Sequence, residues 1–269
     1  MKRFHFIRYV VIAICLLFAT TGECAEIKAG ENYTPQVGQA GKDVIWQPTE
    51  QALVDTMLNM ANVTSSDYVI DLGAGDGRTV ITAAKRGATA LGIEYNPDMV
   101  ELARRAAIQE GVSERATFEK ADIFESDFSK ATVLALFLLQ DINLKLRPKI
   151  LDMKPGTRII SNTFDMEDWK PDQTTELAEY SNWNTAHLWI VPAKVNGTWK
   201  FDGGKINFTQ KFQNITRTLT ISKKDMKLTG KLNGDKISFS AGGTEYTGTV
   251  SGNTISGTRV GGGSWKATR

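Results

Sequence analysis

Cysteine and histidine are nearly missing from this 269-residue chain, with two of each. Cys15, Cys24 and His5 all fall within the first 25 residues, which leaves His187 as the one histidine in the remainder. A body with at most one cysteine forms no intrachain disulfide. The same shortage excludes a His/Cys zinc site and any triad built on a cysteine nucleophile. His187 sits in the strand-like stretch AHLWIVP, where a solitary histidine reads as structural. Long apolar runs are scarce as well. The main one, YVVIAICLLFA, is too short for a comfortable membrane span, and nothing in a composition of 41% hydrophobic residues points to disorder or repeated spans.

That run belongs to a leader. MKRFHFIR ahead of it is basic and TTGECAE behind it is small and polar, so residues 1–25 read as a signal peptide, with an uncleaved anchor as the alternative. Either form places the body outside the cytoplasm, in the periplasm or at the envelope. Residues 26–45 follow as an N-terminal extension.

Charge is unevenly spread. From Val195 to Arg269 there are twelve Lys/Arg against four Asp/Glu, although the whole chain carries a net charge of only +2. This tail is made of short β-type runs such as KINFTQKF, TRTLTIS and TEYTGTV, separated by turns at Asn233-Gly234 and Ser251-Gly252-Asn253. It predicts a small all-β antiparallel barrel or sandwich over 194–269, with Trp199 and Trp265 near its two ends as core or closing residues. Its positive charge suits an anionic envelope partner or a solvated surface.

Between 46 and 193 strand and helix signals alternate. PTEQALVDTMLNMA carries Leu53, Met57, Met60 and Ala61 at helical spacing, with Thr49 as N-cap. DYVIDLG, ATALGIE, RATFEKAD, ATVLALFLL and TRIISNTF read as strands, with RTVITAAKRG, NPDMVELARRAAIQEG and INLKLRPKILDM as helices. This order predicts an α/β, Rossmann-like doubly wound sheet.

Gly73, Gly75 and Gly77 then fall after the first strand, where such a sheet binds ligands. The pattern G-x-G-x-G alone serves nicotinamide, flavin or S-adenosylmethionine, and the neighbouring charges discriminate. A pyrophosphate would meet Asp76 and Asp71, whereas the ammonium and sulfonium of S-adenosylmethionine are attracted to carboxylates. Arg78 occupies the place of the third close-packing glycine of a dinucleotide fingerprint. Glu94 ends the second strand, placed to accept both ribose hydroxyls. Asp122 follows the third strand, placed to take an adenine amino proton, with Ile123 offering its backbone N–H and an apolar ring contact.

VIDLGAGDGRTVITAAKRGATALGIEYNPDMVELARR resembles the first two cofactor motifs of class I S-adenosylmethionine-dependent methyltransferases, and KADIFE resembles the third. WQPTEQALVDTML and NTFDMEDWKPD narrow the likeness to the branch of mitochondrial protein-lysine methyltransferases whose substrates are an ATP synthase component and the adenine nucleotide carrier. The resemblance adds Ala74 and Tyr95 to the cofactor-binding residues and implies that Thr49 lies in a segment closing over the cofactor. It also implies a protein lysine as acceptor. At the end of the fourth strand, Asp141 would orient or deprotonate an amine and Asn143 would hydrogen-bond it, or both would merely cap the following helix. No N-P-P-Y type sequence occurs there, which argues against nucleobase amino groups, and no nucleic-acid partner is expected. Phe164, Trp169 and Tyr180 are candidates for an acceptor channel or for edge packing. The competing reading is an exported, noncatalytic binding module that keeps the fold.

Overall fold

The structure, a computed structural model, describes residues 33–179 and 182–269. The leader and Tyr180 lie outside the described residues. Helix α1 (Gln51–Met60) precedes the chain of alternating elements β1 (Tyr68–Leu72), α2 (Arg78–Lys85), β2 (Thr89–Glu94), α3 (Pro97–Gln109), β3 (Ala116–Lys120), β4 (Val133–Leu136), α4 (Gln140–Leu151) and β5 (Arg158–Asn162). Two further strands, β6 (Gln173–Glu176) and β7 (Thr185–Ile190), complete a seven-stranded sheet of order β3-β2-β1-β4-β5-β7-β6. Pairing is parallel from β3 through β5, while β7 runs antiparallel to both β5 and β6.

The central strands of the sheet are buried on both faces because their residues alternate between two apolar layers. In β4, Val133 and Ala135 join a layer with α1, α2 and α3, whereas Leu134 and Leu136 join one with α4, Trp169 and Trp189. The α3 residues expected on its apolar side, Met99, Val100, Ala103 and Ala107, are all buried. Asn96 caps that helix by accepting the Asp98 N–H at 2.9 Å, with Pro97 in the first turn.

Two local expectations are corrected. Thr49 does not cap α1: Glu50 holds that position without a side-chain cap bond, and the Thr49 hydroxyl instead accepts from Asn162 Nδ2 at 3.2 Å. Helix α4 begins two residues earlier than its apolar pattern suggests and keeps Pro148 inside it. Leu139 is its N-cap, so neither Asp141 nor Asn143 caps it.

At the amino ends of the strands, Asp67 acts as a clasp. Its carboxylate accepts from Thr64 N–H, the Thr132 hydroxyl and Arg158, which join the segments entering β1, β4 and β5. Burial pushes its pKa up, but those three partners outweigh burial and hold it below the usual carboxylate range.

The tail is a closed barrel of eight antiparallel strands: β8 (Gly197–Phe201), β9 (Gly204–Lys211), β10 (Asn214–Ile221), β11 (Lys224–Asn233), β12 (Lys236–Ala241), β13 (Thr244–Ser251), β14 (Thr254–Arg259) and β15 (Ser264–Thr268). Closure by β8 on β15 removes the exposed edges that a sandwich would retain. Trp199 and Trp265, on the two closing strands, are both buried inside. The barrel docks beside α4: Phe212 stacks on the buried Trp169 at 5.8 Å, Gln213 Nε2 donates to Lys170 O at 2.9 Å, and Lys211 pairs with Asp168 at 3.3 Å.

Candidate functional site

A cavity of about 590 Å³ opens at the carboxyl ends of β1, β2 and β4, and it has two chemically different halves. The first is built by the glycine loop. Gly75 (φ 54°) and Gly77 (φ 82°) adopt the left-handed conformation, and a Cβ on Gly75 would lie 2.7 Å from Trp46 Nε1. One on Gly77 would strike the Phe118 ring at 2.7 Å. Only glycine lets the loop run so close to both neighbours. Gly73 and Ala74 donate to Ile93 O at 2.8 and 3.0 Å, which fixes the loop against β2.

Four carboxylates face this half, each with a different electrostatic setting. Glu94 Oε2 accepts the Gly75 N–H at 3.0 Å and Oε1 accepts the Asn96 N–H at 2.8 Å, so both oxygens are oriented and each retains a free lone pair. Asp71 is buried, and burial, then Glu94, then Asp76 raise its pKa to about 7, against an opposing hydrogen bond from Thr79. Asp76 is neutralised by Arg78, whose Nη2 lies 2.6 Å from Oδ2 and whose Nη1 donates to Thr49 O at 2.7 Å. Asp122 accepts the Phe124 N–H at 2.9 Å and pairs with Lys42 at 2.9 Å, which hold it below the usual carboxylate range.

Lys42 comes from the N-terminal extension, which sequence reasoning left without a role. Residues 38–46 fold back on themselves through Gly38 N–H to Trp46 O and Trp46 N–H to Gln39 O, both 2.9 Å. The resulting strap places Gln39, Lys42 and Trp46 along the cavity wall. The Lys42 ammonium also lies 5.4 Å from the centroid of Tyr95 and 5.6 Å from that of Phe124. No periodicity marks such a segment, because it is ordered by contacts with distant loops rather than by its own pattern.

The second half is apolar and aromatic, lined by Phe137, Leu138, Leu139, Ile142, Phe164 and Trp183. The structure therefore gathers Thr49, Asp71, Gly73, Ala74, Gly75, Asp76, Glu94, Tyr95, Asp122 and Ile123 around one cavity. It does not bring Asp141 and Asn143 there. Asp141 is exposed in the first turn of α4, and Asn143 is buried with its Nδ2 donating to Phe164 O at 3.1 Å. Trp169 lies under the barrel instead of at the cavity. Phe137 and Trp183 were missed; the first is hidden in a continuous apolar run and the second in a turn. His187 is structural: it bonds Thr174 Oγ1 at 3.0 Å and Thr163 O at 3.2 Å, and burial lowers its pKa.

The donor set fits S-adenosylmethionine. A buried carboxyl whose pKa burial, Glu94 and Asp76 raise to about 7 sits in a negative setting that matches a ligand bringing an ammonium and a sulfonium, and the glycine cradle leaves room for it.

Comparison with known proteins agrees. The profile of the ANTKMT methyltransferase domain matches residues 71–173. A protein-lysine N-methyltransferase of Saccharolobus islandicus (strain REY15A) is 38% identical over 151 residues, which are 55% of this chain and 94% of that protein. A lysine N-methyltransferase of Homo sapiens named for the C subunit of ATP synthase is 37% identical over 108 residues, 40% of this chain and 46% of its own length. The chain thus spans nearly all of the Saccharolobus relative and about half of the human one. Among solved structures, an RNA methyltransferase from Salinibacter ruber in complex with S-adenosyl-L-homocysteine is 42% identical, with a TM-score of 0.53, covering 55% of this chain and 96% of that one. Nothing in these likenesses favours a noncatalytic module.

Proposed function

Because this chain belongs to the class I S-adenosylmethionine-dependent methyltransferases, in the branch of the protein-lysine enzymes, we propose that its methyl acceptor is the side-chain amine of a protein lysine. The observation that carries this reading is the division of the cavity into a carboxylate half and an aromatic half. The first suits the cofactor, and the second suits a long aliphatic side chain ending in a nitrogen. When bound, S-adenosylmethionine supplies a methyl group on a sulfonium; the amine lone pair forms the N–C bond while the S–C pair stays on sulfur.

The residues of the chain contribute alignment and a dry site. Glu94 and Asp122 hold the nucleoside, and Asp71 gives up its proton as the ligand's positive charge arrives. Leu138 and Ile142, both buried, exclude water from the acceptor side. The amine attacks in its neutral form, so the lysine loses its proton before transfer. The rate should therefore rise with pH toward the ordinary lysine pKa of about 10.4.

The test supplies methyl-labelled cofactor to the leaderless protein with separate protein and RNA fractions. Label on lysine, located by peptide mass spectrometry, supports the proposal. Label confined to RNA, as the name of the Salinibacter protein would have it, overturns it. We also propose export by the leader; intact-mass measurement of the native protein should show the loss of about 25 residues, and a full-length cytoplasmic product would refute it.

A further inference from the structure

Three half-exposed aromatic rings meet at the apolar end of the cavity although each comes from a different loop. Phe137 follows β4, Phe164 follows β5 and Trp183 precedes β7. Their ring centroids are 6.3 Å (Phe137–Phe164), 6.0 Å (Phe137–Trp183) and 5.5 Å (Phe164–Trp183) apart. None of the three belongs to the apolar layers that hold the sheet together.

The rings are held from behind. Phe164 O accepts from Asn143 Nδ2 at 3.1 Å and from Ser161 Oγ at 2.8 Å, and Thr163 N–H donates to Thr185 O at 2.6 Å, which ties the Phe164 loop to the strand after Trp183. Thr163 (φ 61°) and Trp183 (φ 53°) both stand in the left-handed region, a strained state that persists where surrounding contacts impose it.

We propose that Phe137, Phe164 and Trp183 form a cage for the acceptor nitrogen that prefers methylated, cationic lysine over unmodified lysine. This inference rests on the lysine reading above. Ring faces attract a cation through their quadrupole. An unmodified ammonium must surrender three hydrogen bonds to water on entering, and among the described residues no acceptor side chain lines this half to replace them. A trimethylated ammonium has no N–H to leave unpaired. Asn143 serves as a positioning residue for the Phe164 ring.

The test is an NMR titration of protein saturated with S-adenosyl-L-homocysteine, using Nα-acetyl-lysine methylamide, its trimethylated form and the uncharged carbon isostere of the latter. The trimethylated cation should bind about tenfold more tightly than the isostere. Trp183→Leu should reduce that ratio to below about twofold while leaving affinity for S-adenosyl-L-homocysteine unchanged; Phe164→Leu provides the second ring. Equal affinities for cation and isostere, or a preference that survives Trp183→Leu, overturn the cage. Cation preference in a protein that methylates no lysine leaves the cage standing and defeats the acceptor reading. Lysine methylation without cation preference does the reverse.

Discussion

The Lys42 ammonium stands 2.9 Å from Asp122 Oδ2, so a residue of the N-terminal strap already engages the carboxylate expected to receive the adenine amino group. Each partner stabilises the charge of the other: Asp122 raises the Lys42 pKa, and the Phe124 amide and Lys42 lower that of Asp122.

Lys42→Met should accordingly tighten S-adenosylmethionine binding on the order of a few-fold, since it removes a competitor for Asp122 and a positive charge facing a positive ligand. The gain should shrink in high salt. Calorimetry at two ionic strengths measures both, and weaker binding by the variant would make the lysine a ligand contact instead.

Glu94→Ala should weaken cofactor binding by roughly 10 to 100-fold, the loss of a charge-assisted hydrogen-bond pair of about 1.5–3 kcal/mol. It also strands the Gly75 and Asn96 amides that the carboxylate now accepts. Glu94→Gln, which keeps one oxygen, should fall between. Unchanged affinity in both variants would remove Glu94 from the site.

Asp71 makes cofactor binding pH-dependent. Its pKa is raised from 3.8 to about 7, so between those values the folded protein keeps a proton that the unfolded chain has lost. Its contribution to stability therefore falls as pH rises through that window and levels off above it. A cationic ligand favours the ionised form, and affinity should increase about tenfold from pH 6 to pH 8 as the ionised fraction grows. Asp71→Asn should flatten this dependence and raise the melting temperature of the ligand-free protein at pH 8. A wild-type affinity that is level across the range would show that Asp71 does not face the bound charge.

Among the described residues no barrel residue lines the cavity, so ending the chain at Ala193 should leave cofactor affinity within about twofold. The truncated protein should melt at a lower temperature, because the buried Trp169 loses the Phe212 ring that covers it. Phe212→Ala in the full chain should reproduce part of that loss. Abolished cofactor binding in a truncation that keeps its far-ultraviolet dichroism would show that the barrel supports the site.

Most of the cofactor half was legible because its determinants are local. Gly73, Gly75 and Gly77 sit within one turn, and Asp71, Glu94 and Asp122 each mark the end or exit of a strand. Right-handed crossovers bring such ends to one side of a parallel sheet. Asp141 and Asn143 were misjudged for the complementary reason. Position after a strand says where a residue starts, but the phase of α4 decides that Asp141 faces solvent and Asn143 faces the Phe164 carbonyl.

The sequence by itself determined the alternation of strand and helix, the eight short strands of the tail and the acids around the glycine loop, all of which follow from period-two and period-3.6 patterning and from turn chemistry. Only the tertiary structure decided that β7 lies between β5 and β6, that the strap brings Lys42 to Asp122, and that burial raises the Asp71 pKa to about 7. It also decided that Phe137, Phe164 and Trp183 meet. Each of these depends on how far apart residues distant in the chain end up and on how much water is left between them, and neither quantity is written in local sequence.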